Sequence, residues 1–395
     1  MKFEDACIPA PLLWSSPFIR WQGAAADVSA LDLAAQVTGD ALAAAAYDPS
    51  ETGQLVLGTT IPQIDAFYAA PWLAARLGMP SVGGPAIAQA CATAVACLVH
   101  AASASQLGGG ETQLVVTTDR TSNGPLLVYP RSAAMGGAPV TSHWVLDSFA
   151  ADPGTGESML YTAECTAQDG GFTREQCDEL TLLRHRQYVS ALGDDRAMQK
   201  RYMRPIVIES RKSRTVLDAD AGVSDYSPES LARLAPARPG GVITPATQTH
   251  PADGTAGAVL TSHEKARRLA NGQPVVHLLS AAFARAEKGR MPKAPALAAQ
   301  KALHDAGRRV GDLQCITTHN PFAVNDLWLH RETGFALERM NPLGCSLIYG
   351  HPQAPTGMRA IAELVQSLML AGGGTGLFTG CAAGDMGAAV VVEVA

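Results

Sequence analysis

Charge is scarce in this chain, and so are aromatic rings. Only 17% of its 395 residues are Asp, Glu, Lys or Arg and 6% are Phe, Trp or Tyr, against 47% hydrophobic. That apolar share excludes a disordered or fibrous chain. There is no basic surplus: 30 Lys and Arg stand against 36 Asp and Glu, a net charge of −6. Nucleic acid is therefore not expected as a partner, because a phosphate backbone selects a basic footprint. The first residues, MKFEDACIPAP, carry no basic segment followed by an apolar one. The last six, VVVEVA, match no retention or peroxisomal address. The eight cysteines contain no C-x-x-C pair and form no dense framework, so reduced thiols and a cytoplasmic location are expected. Long apolar runs are also missing. The uncharged stretch at residues 77–110 is broken by Pro80, Gly83, Gly84, Pro85, Gln89 and His100, and reads as a buried strand and helix, not a membrane span.

What is present is length and repetition. A chain of this size suggests two domains or two repeats. Residues 86–90 read as a short buried strand that runs into Cys91. A small-residue helix at 92–105 follows, then Gly108, Gly109 and Gly110, then a strand at 113–118. Near the other end, His351 precedes a helix at 358–370, then Gly372, Gly373 and Gly374, then a strand at 376–380. Upstream, helices at 29–46 and 294–306 lead into strands at 55–58 and 313–317. The order is the same in both places. Helix alternating with short apolar strand points to α/β units on a mainly parallel sheet, present twice. Residues 120–240 are richer in charge, Pro and Ser and read as an insertion. It carries a helix at 173–192 that opens on a capping box, Thr173 with Gln176.

Three reactive side chains stand at strand ends or helix starts beside Gly, Ala or Pro: Cys91, His351 and Cys381. A thiol at a helix start sits near N–H groups that favour a thiolate and can hold a developing oxyanion. A loop imidazole can take a proton from a neighbouring thiol. Taken singly, each has a plain alternative, since free cysteines are often simply buried. Cys97, inside the helix, reads as core. The candidates lack the paired short spacings of common zinc sites, so no metal is expected.

Several segments in order resemble the thiolase family. They are Cys91 with its helix; VVTTDRTSNGP at 115–125; TAE at 162–164 with TREQCDE at 173–179; HNPFA at 319–323; NPLG at 341–344; GHP at 350–352 with Thr356 and Gly357; and residues 381–387. The resemblance covers nearly the whole chain. It implies a duplicated α-β-α-β-α layered fold with an inserted loop domain. Residues 1–119 would be the first part of the N-terminal half, 120–240 the loop domain, 241–262 the returning strand or strands, and 263–395 the C-terminal half. It implies reversible Claisen chemistry on acyl-CoA thioesters in fatty-acid or ketone metabolism, with coenzyme A as substrate, no bound cofactor, and a homodimer or homotetramer.

Carried over residue by residue, Cys91 would be acylated, His351 would take its proton, and Cys381 would protonate or deprotonate the acetyl carbon. The N–H groups of Cys91 and Ala383 would form one oxyanion hole. His351 with His319 or Asn320 would form another. Met159, Thr249, Met291 and Phe322 would contact substrate. Departures from the common pattern fall at 92–94, at 247–250, at His319, and at Asp385, a carboxylate near the site or a solvated loop residue. Arg211, Lys212 and Arg214 stand upstream of 222–225, where they could meet nucleotide phosphates. Two other readings remain open: a ketoacyl synthase, which would usually lack a cysteine at 381, and a catalytically weak subunit that binds acyl-CoA.

Overall fold

Each half of the chain builds one mixed sheet. The computed structural model describes all residues except 65, 109, 110, 123, 132, 134 and 210–212. Arg211 and Lys212, and two glycines of the first triple, therefore lie outside the described residues. In the first sheet the strands run in the order Ala86–Ile87, Gln54–Gly58, Gln113–Arg120, Ala252–Leu260 and Leu13–Ser15. The first three are parallel and Ala252–Leu260 is antiparallel to its neighbours. The second sheet repeats the plan. Leu313–His319 lies parallel to Gly374–Ala382, which is followed by antiparallel Met386–Val394 and Val275–Arg285. The counterpart of Ala86–Ile87 is reduced there to a single bridge between Ile316 and Met340.

The helices repeat too. Ala30–Ala44, Ala69–Arg76 and Thr93–Leu107 in the first half correspond to Ala294–Ala306, Ala323–Thr333 and Pro355–Leu370 in the second. The first of them starts where the Ser29 side chain accepts the Leu31 N–H, satisfying one orphan donor of the first turn.

Side-chain alternation along the strands assigns the layers. Leu114 and Val116 pack outward against Leu31, Val37 and Leu73, while Val115 and Val56 face inward. The inward faces of both sheets close on Thr93–Leu107 and Pro355–Leu370, through Leu98, Ala101, Ile361 and Leu364. The result is five layers, helix–sheet–helix–sheet–helix. Small residues are what the middle layer needs. A Cβ on Gly357 would stand 3.0 Å from that of Ala94, so the two central helices cross almost backbone to backbone. The window Ala90–Leu107 is apolar and long enough to cross a membrane, yet its apolar residues form the seam between the sheets.

Three expectations are corrected. The strand before Cys91 spans only Ala86 and Ile87, with Ala86 exposed, because it is the outermost strand of its sheet. Cys381 lies inside the strand Gly374–Ala382, not after it. The division at residue 119 is also too simple: Cys7–Pro9 pairs with Val275–Arg285 on the edge of the second sheet. Between Arg120 and Ala252 the described residues form, among other elements, the helices Met159–Gly170 and Arg174–Ala191 and the antiparallel pairs Leu126–Tyr129 with Val140–His143 and Ile206–Glu209 with Arg214–Leu217. The box at Thr173 and Gln176 is formed. The return strand starts at Ala252; residues 241–251 approach it irregularly.

Candidate active site

Cys91 and His351 occupy equivalent places, each just before one of the two central helices. Ahead of Cys91 the Thr93 hydroxyl accepts the Gln89 N–H at 2.8 Å and donates to the Ala90 carbonyl at 2.7 Å. Ala90 is held at φ 44°, a left-handed conformation that a Cβ disfavours. This tight turn presents the half-buried Cys91, whose Sγ lies 3.1 Å from His351 Nε2 and 3.2 Å from Gln353 Oε1. Burial pushes the thiol up to about 12, partly offset by the N–H groups of Ala383 and of Cys91 itself. The resting group is therefore a neutral thiol.

The imidazole is neutral as well. His351 is buried, and burial lowers it to about 3. Its Nδ1 is 2.7 Å from Thr356 Oγ1. With the Nδ1 proton donated there, Nε2 is free to accept from the thiol. Gly350, at φ 94°, sets up the loop, and a Cβ on it would meet the His250 ring at 2.6 Å.

His319 stacks on His351 with ring centroids 4.0 Å apart. Its ring nitrogen belongs to a set with Cys91 Sγ and His351 whose members all lie within 4.8 Å of one another. Burial, then the neighbouring His351, pushes it well below the usual histidine range. Its Nδ1 is 2.9 Å from Ser346 Oγ. The Ser346 hydroxyl donates to Asn320 Oδ1 at 3.2 Å and accepts the Asn320 N–H at 3.2 Å, while the Leu347 N–H donates to the same Asn320 Oδ1. His319 Nδ1 is then the donor to Ser346 Oγ, and its Nε2 is a buried atom with no hydrogen-bond partner among the described residues.

Cys381 is buried and receives a hydrogen bond from Asn325 Nδ2 at 3.2 Å. Burial, then the nearby Cys91, pushes it well above the usual thiol range. At the corresponding strand end of the first half stands Asp119. Its carboxylate accepts the N–H groups of Thr60, Ile61 and Ala354 and the hydroxyls of Thr59 and Thr60. Burial raises it to about 6. It fastens the loop after His351 to the first sheet.

Cys91, His351 and Cys381 open onto one cavity of about 610 Å³. Ala383, Met159, Thr249, Met291 and Phe322 line the same cavity. The Thr249 hydroxyl, however, is spent on the Ser346 carbonyl. Asn320 departs from expectation: its amide donates to Asp326 Oδ2 at 2.8 Å and to Cys345 Sγ at 3.2 Å. It is thereby turned into a buried polar network and away from the cavity. Asp385 is neither near-catalytic nor solvated. It is 5% exposed and accepts the N–H groups of Gly289 and Arg290. Arg214 is exposed, pairs with Glu209, and does not line the cavity.

Sequence reading missed Asn325, Gln353, Thr356, Ser346 and Asp119, and it missed Trp144 and Phe149, which close one wall. Asn325 stands six residues beyond His319, on the first turn of its helix, which is the one local signal that could have drawn attention to it.

A low histidine pKa has a measurable consequence. An unfolded imidazole titrates at about 6.5; burial pushes folded His351 down to about 3. The unfolded chain binds the extra proton between those values, so stability falls as the pH drops through this window. His319 acts in the same direction. Asp119, raised to about 6, opposes it by favouring the fold at the acid end. In His351→Asn the decline in Tm between about pH 7 and about pH 4.5 should be shallower than in the parent chain. Equal declines would mean that the imidazole is not held neutral.

A reactive thiol beside a neutral imidazole, with N–H groups around the sulfur and a second thiol on the same apolar cavity, is the apparatus of an acyl-transferring enzyme. Comparison with known proteins narrows this class. Residues 14–264 match the family model described as "Thiolase, N-terminal domain", and 272–394 match "Thiolase, C-terminal domain". A 3-ketoacyl-CoA thiolase of Shewanella denitrificans is 31% identical over 424 residues, covering 96% of this chain and 95% of that protein. One from Shewanella baltica is 30% identical, covering 100% and 98%. Among solved structures, the acetyl-CoA acetyltransferase of Bacillus anthracis superposes with a TM-score of 0.91 at 26% identity, covering both chains completely. The chain belongs to the thiolase family, and it is an acyltransferase.

Proposed function

We propose that the cavity carries out reversible thiolytic cleavage of a 3-ketoacyl-CoA, and its reverse Claisen condensation, through an acyl group held on Cys91. One observation carries this: Cys91 and Cys381 share the cavity, with His351 Nε2 3.1 Å from Cys91 Sγ. Because thiol and imidazole are both neutral at rest, the proton passes from Cys91 to His351 Nε2 as sulfur attacks the keto carbonyl. The oxyanion is received by the N–H groups of Cys91 and Ala383, which already face the sulfur. The bond between the α and β carbons breaks, and the departing carbon takes its proton from Cys381. The enolate oxygen is held by His351, now protonated on Nε2, with the His319 ring stacked on it. Coenzyme A then attacks the acyl-Cys91 thioester as its thiol proton passes to the Cys381 thiolate, and the departing Cys91 sulfur takes back the proton held on His351 Nε2, so the shortened acyl-CoA leaves and both thiols are restored. Met159, Met291 and Phe322 would surround the acyl chain.

Incubation with acetyl-CoA followed by intact-mass and peptide mass spectrometry tests the central step. The expected result is one acetyl group on Cys91, absent in Cys91→Ala. No adduct in the intact protein would favour a subunit that only binds acyl-CoA.

A cytoplasmic setting fits eight cysteines that are all free thiols. We also propose a homodimer or homotetramer. The outermost strand Ala86–Ile87 and exposed Phe67, Leu126, Val128 and Met135 support it, since apolar side chains left in water favour association. Analytical ultracentrifugation should give twice or four times the chain mass; a monomer at micromolar concentration would remove this part of the proposal.

A further inference from the structure

A second group of ligand-bearing side chains lies on the edge of the second sheet, among residues with no part in the proposed chemistry. Cys7, on the edge strand Cys7–Pro9, is paired in register with His277 of Val275–Arg285. His263 opens the helix His263–Ala270, which follows the return strand of the first half. The Cys7 thiol lies 3.4 Å from His277 Nδ1 and 4.0 Å from His263 Nδ1, and the two rings stack with centroids 4.8 Å apart. All three ligand atoms fall within 4.8 Å of one another.

We propose that Cys7, His263 and His277 bind a zinc-class divalent cation through one sulfur and two Nδ1 nitrogens, with water completing a tetrahedral site. A four-coordinate zinc with bonds of about 2.3 Å to sulfur and about 2.0–2.1 Å to nitrogen places its ligand atoms roughly 3.3–3.6 Å apart. The shorter contact already has that separation. The longer one needs a few tenths of an ångström, and the two imidazole nitrogens, within 4.8 Å of each other, must stand about 3.3 Å apart; His263, whose ring is exposed, can rotate to supply both. One thiolate with two imidazoles is a donor set that suits zinc, not magnesium or calcium.

The surroundings fit a cation. The Asp5 carboxylate accepts the His263 backbone N–H, which places an anion beside the ligand set and orients the helix start. The Cys7 thiol gives up its proton to solvent as the metal–sulfur bond forms. The site would clasp three segments at the crossing between the halves: the first strand, the start of the helix His263–Ala270 and the edge of the second sheet. Sequence spacing concealed it, because the thiol and the imidazoles are 256 and 270 residues apart.

Cobalt(II) titration of the chelator-treated protein, without oxygen, tests the proposal independently of any reading of the reaction. The expected result is one equivalent bound, with a thiolate-to-cobalt charge-transfer band and the strong visible bands of four-coordinate cobalt, all removed by adding zinc. Cys7→Ser should lose the charge-transfer band. His277→Gln and His263→Gln should each weaken affinity by more than the roughly 10–100-fold that loss of an outer-shell partner costs. Cys91→Ala should bind as the parent does, which separates this site from the Cys91, His319 and His351 group. Circular dichroism identifies any variant that fails to fold, and His263→Gln, at an exposed helix start, keeps the test open in that case. No charge-transfer band in the folded parent, or a band lost in Cys91→Ala and kept in Cys7→Ser, would overturn the assignment.

Discussion

Cys381→Ala should keep the acetylation of Cys91 and lose carbon–carbon bond chemistry, with thiolysis and condensation slowed by roughly 10²–10⁴-fold, the usual range for one general acid–base group. The two steps separate because they use different atoms. Acylation needs the Cys91 sulfur, the His351 base 3.1 Å away and the N–H groups around it. Protonation of the departing carbon needs the second thiol, which burial keeps protonated at neutral pH. Intact-mass acetylation rates set beside steady-state thiolysis of a 3-ketoacyl-CoA read the two steps independently. Thiolysis surviving unchanged would move the proton transfer to another group. Asn325→Ala, which removes the hydrogen bond to Cys381 Sγ and the one accepted from the Phe322 N–H, should give a smaller loss of about 1 kcal/mol in transition-state stabilisation.

Arg359→Met should destabilise the fold by about 3–5 kcal/mol, the range for breaking a buried ion pair from one side. Arg359 is fully buried in the central helix Pro355–Leu370. Its guanidinium forks onto Asp220 at 2.6 and 2.8 Å and reaches Glu363 at 3.0 Å. It lies 3.6 Å from the Tyr349 ring centroid and 4.6 Å from that of Phe18. Asp220 comes from the inserted region and also accepts the Phe18 N–H, while Glu363 accepts the hydroxyls of Tyr202 and Tyr349. Without the cation two carboxylates would be left in a dry interior. The cost should therefore largely vanish when Arg359→Met is combined with Asp220→Asn and Glu363→Gln. Urea unfolding of the single and triple variants measures this. A single-variant loss below about 1 kcal/mol, the worth of an exposed pair, would mean that water reaches the cluster. Tyr349 is two residues from His351, so the single variant should also lose catalytic rate.

The layered plan was legible because it rests on local rules. The short apolar run at 113–118, small-residue helices and the repeated order of reactive residue, helix, glycines and strand come from spacing, which neighbouring residues fix. The capping box at Thr173 was legible for the same reason. The short strand Ala86–Ile87 was overestimated, because pairing on one side only is a property of its place in the sheet.

By itself, then, the sequence determined the doubled α/β plan and singled out three side chains that line one cavity. Only the tertiary structure decided which polar groups face them. Asn320 reads as a site residue in its motif, yet Asp326 and Cys345 claim its amide. Asn325 and Gln353 carry no motif, and Asp119 lies unassigned within the segment 115–125, yet they hold Cys381, Cys91 and the loop after His351. The physical reason is that a buried polar atom must find a partner wherever the fold brings one. That partner is set by packing between elements hundreds of residues apart, as with Cys91 and His351 or Cys7 and His277, and no local pattern encodes it.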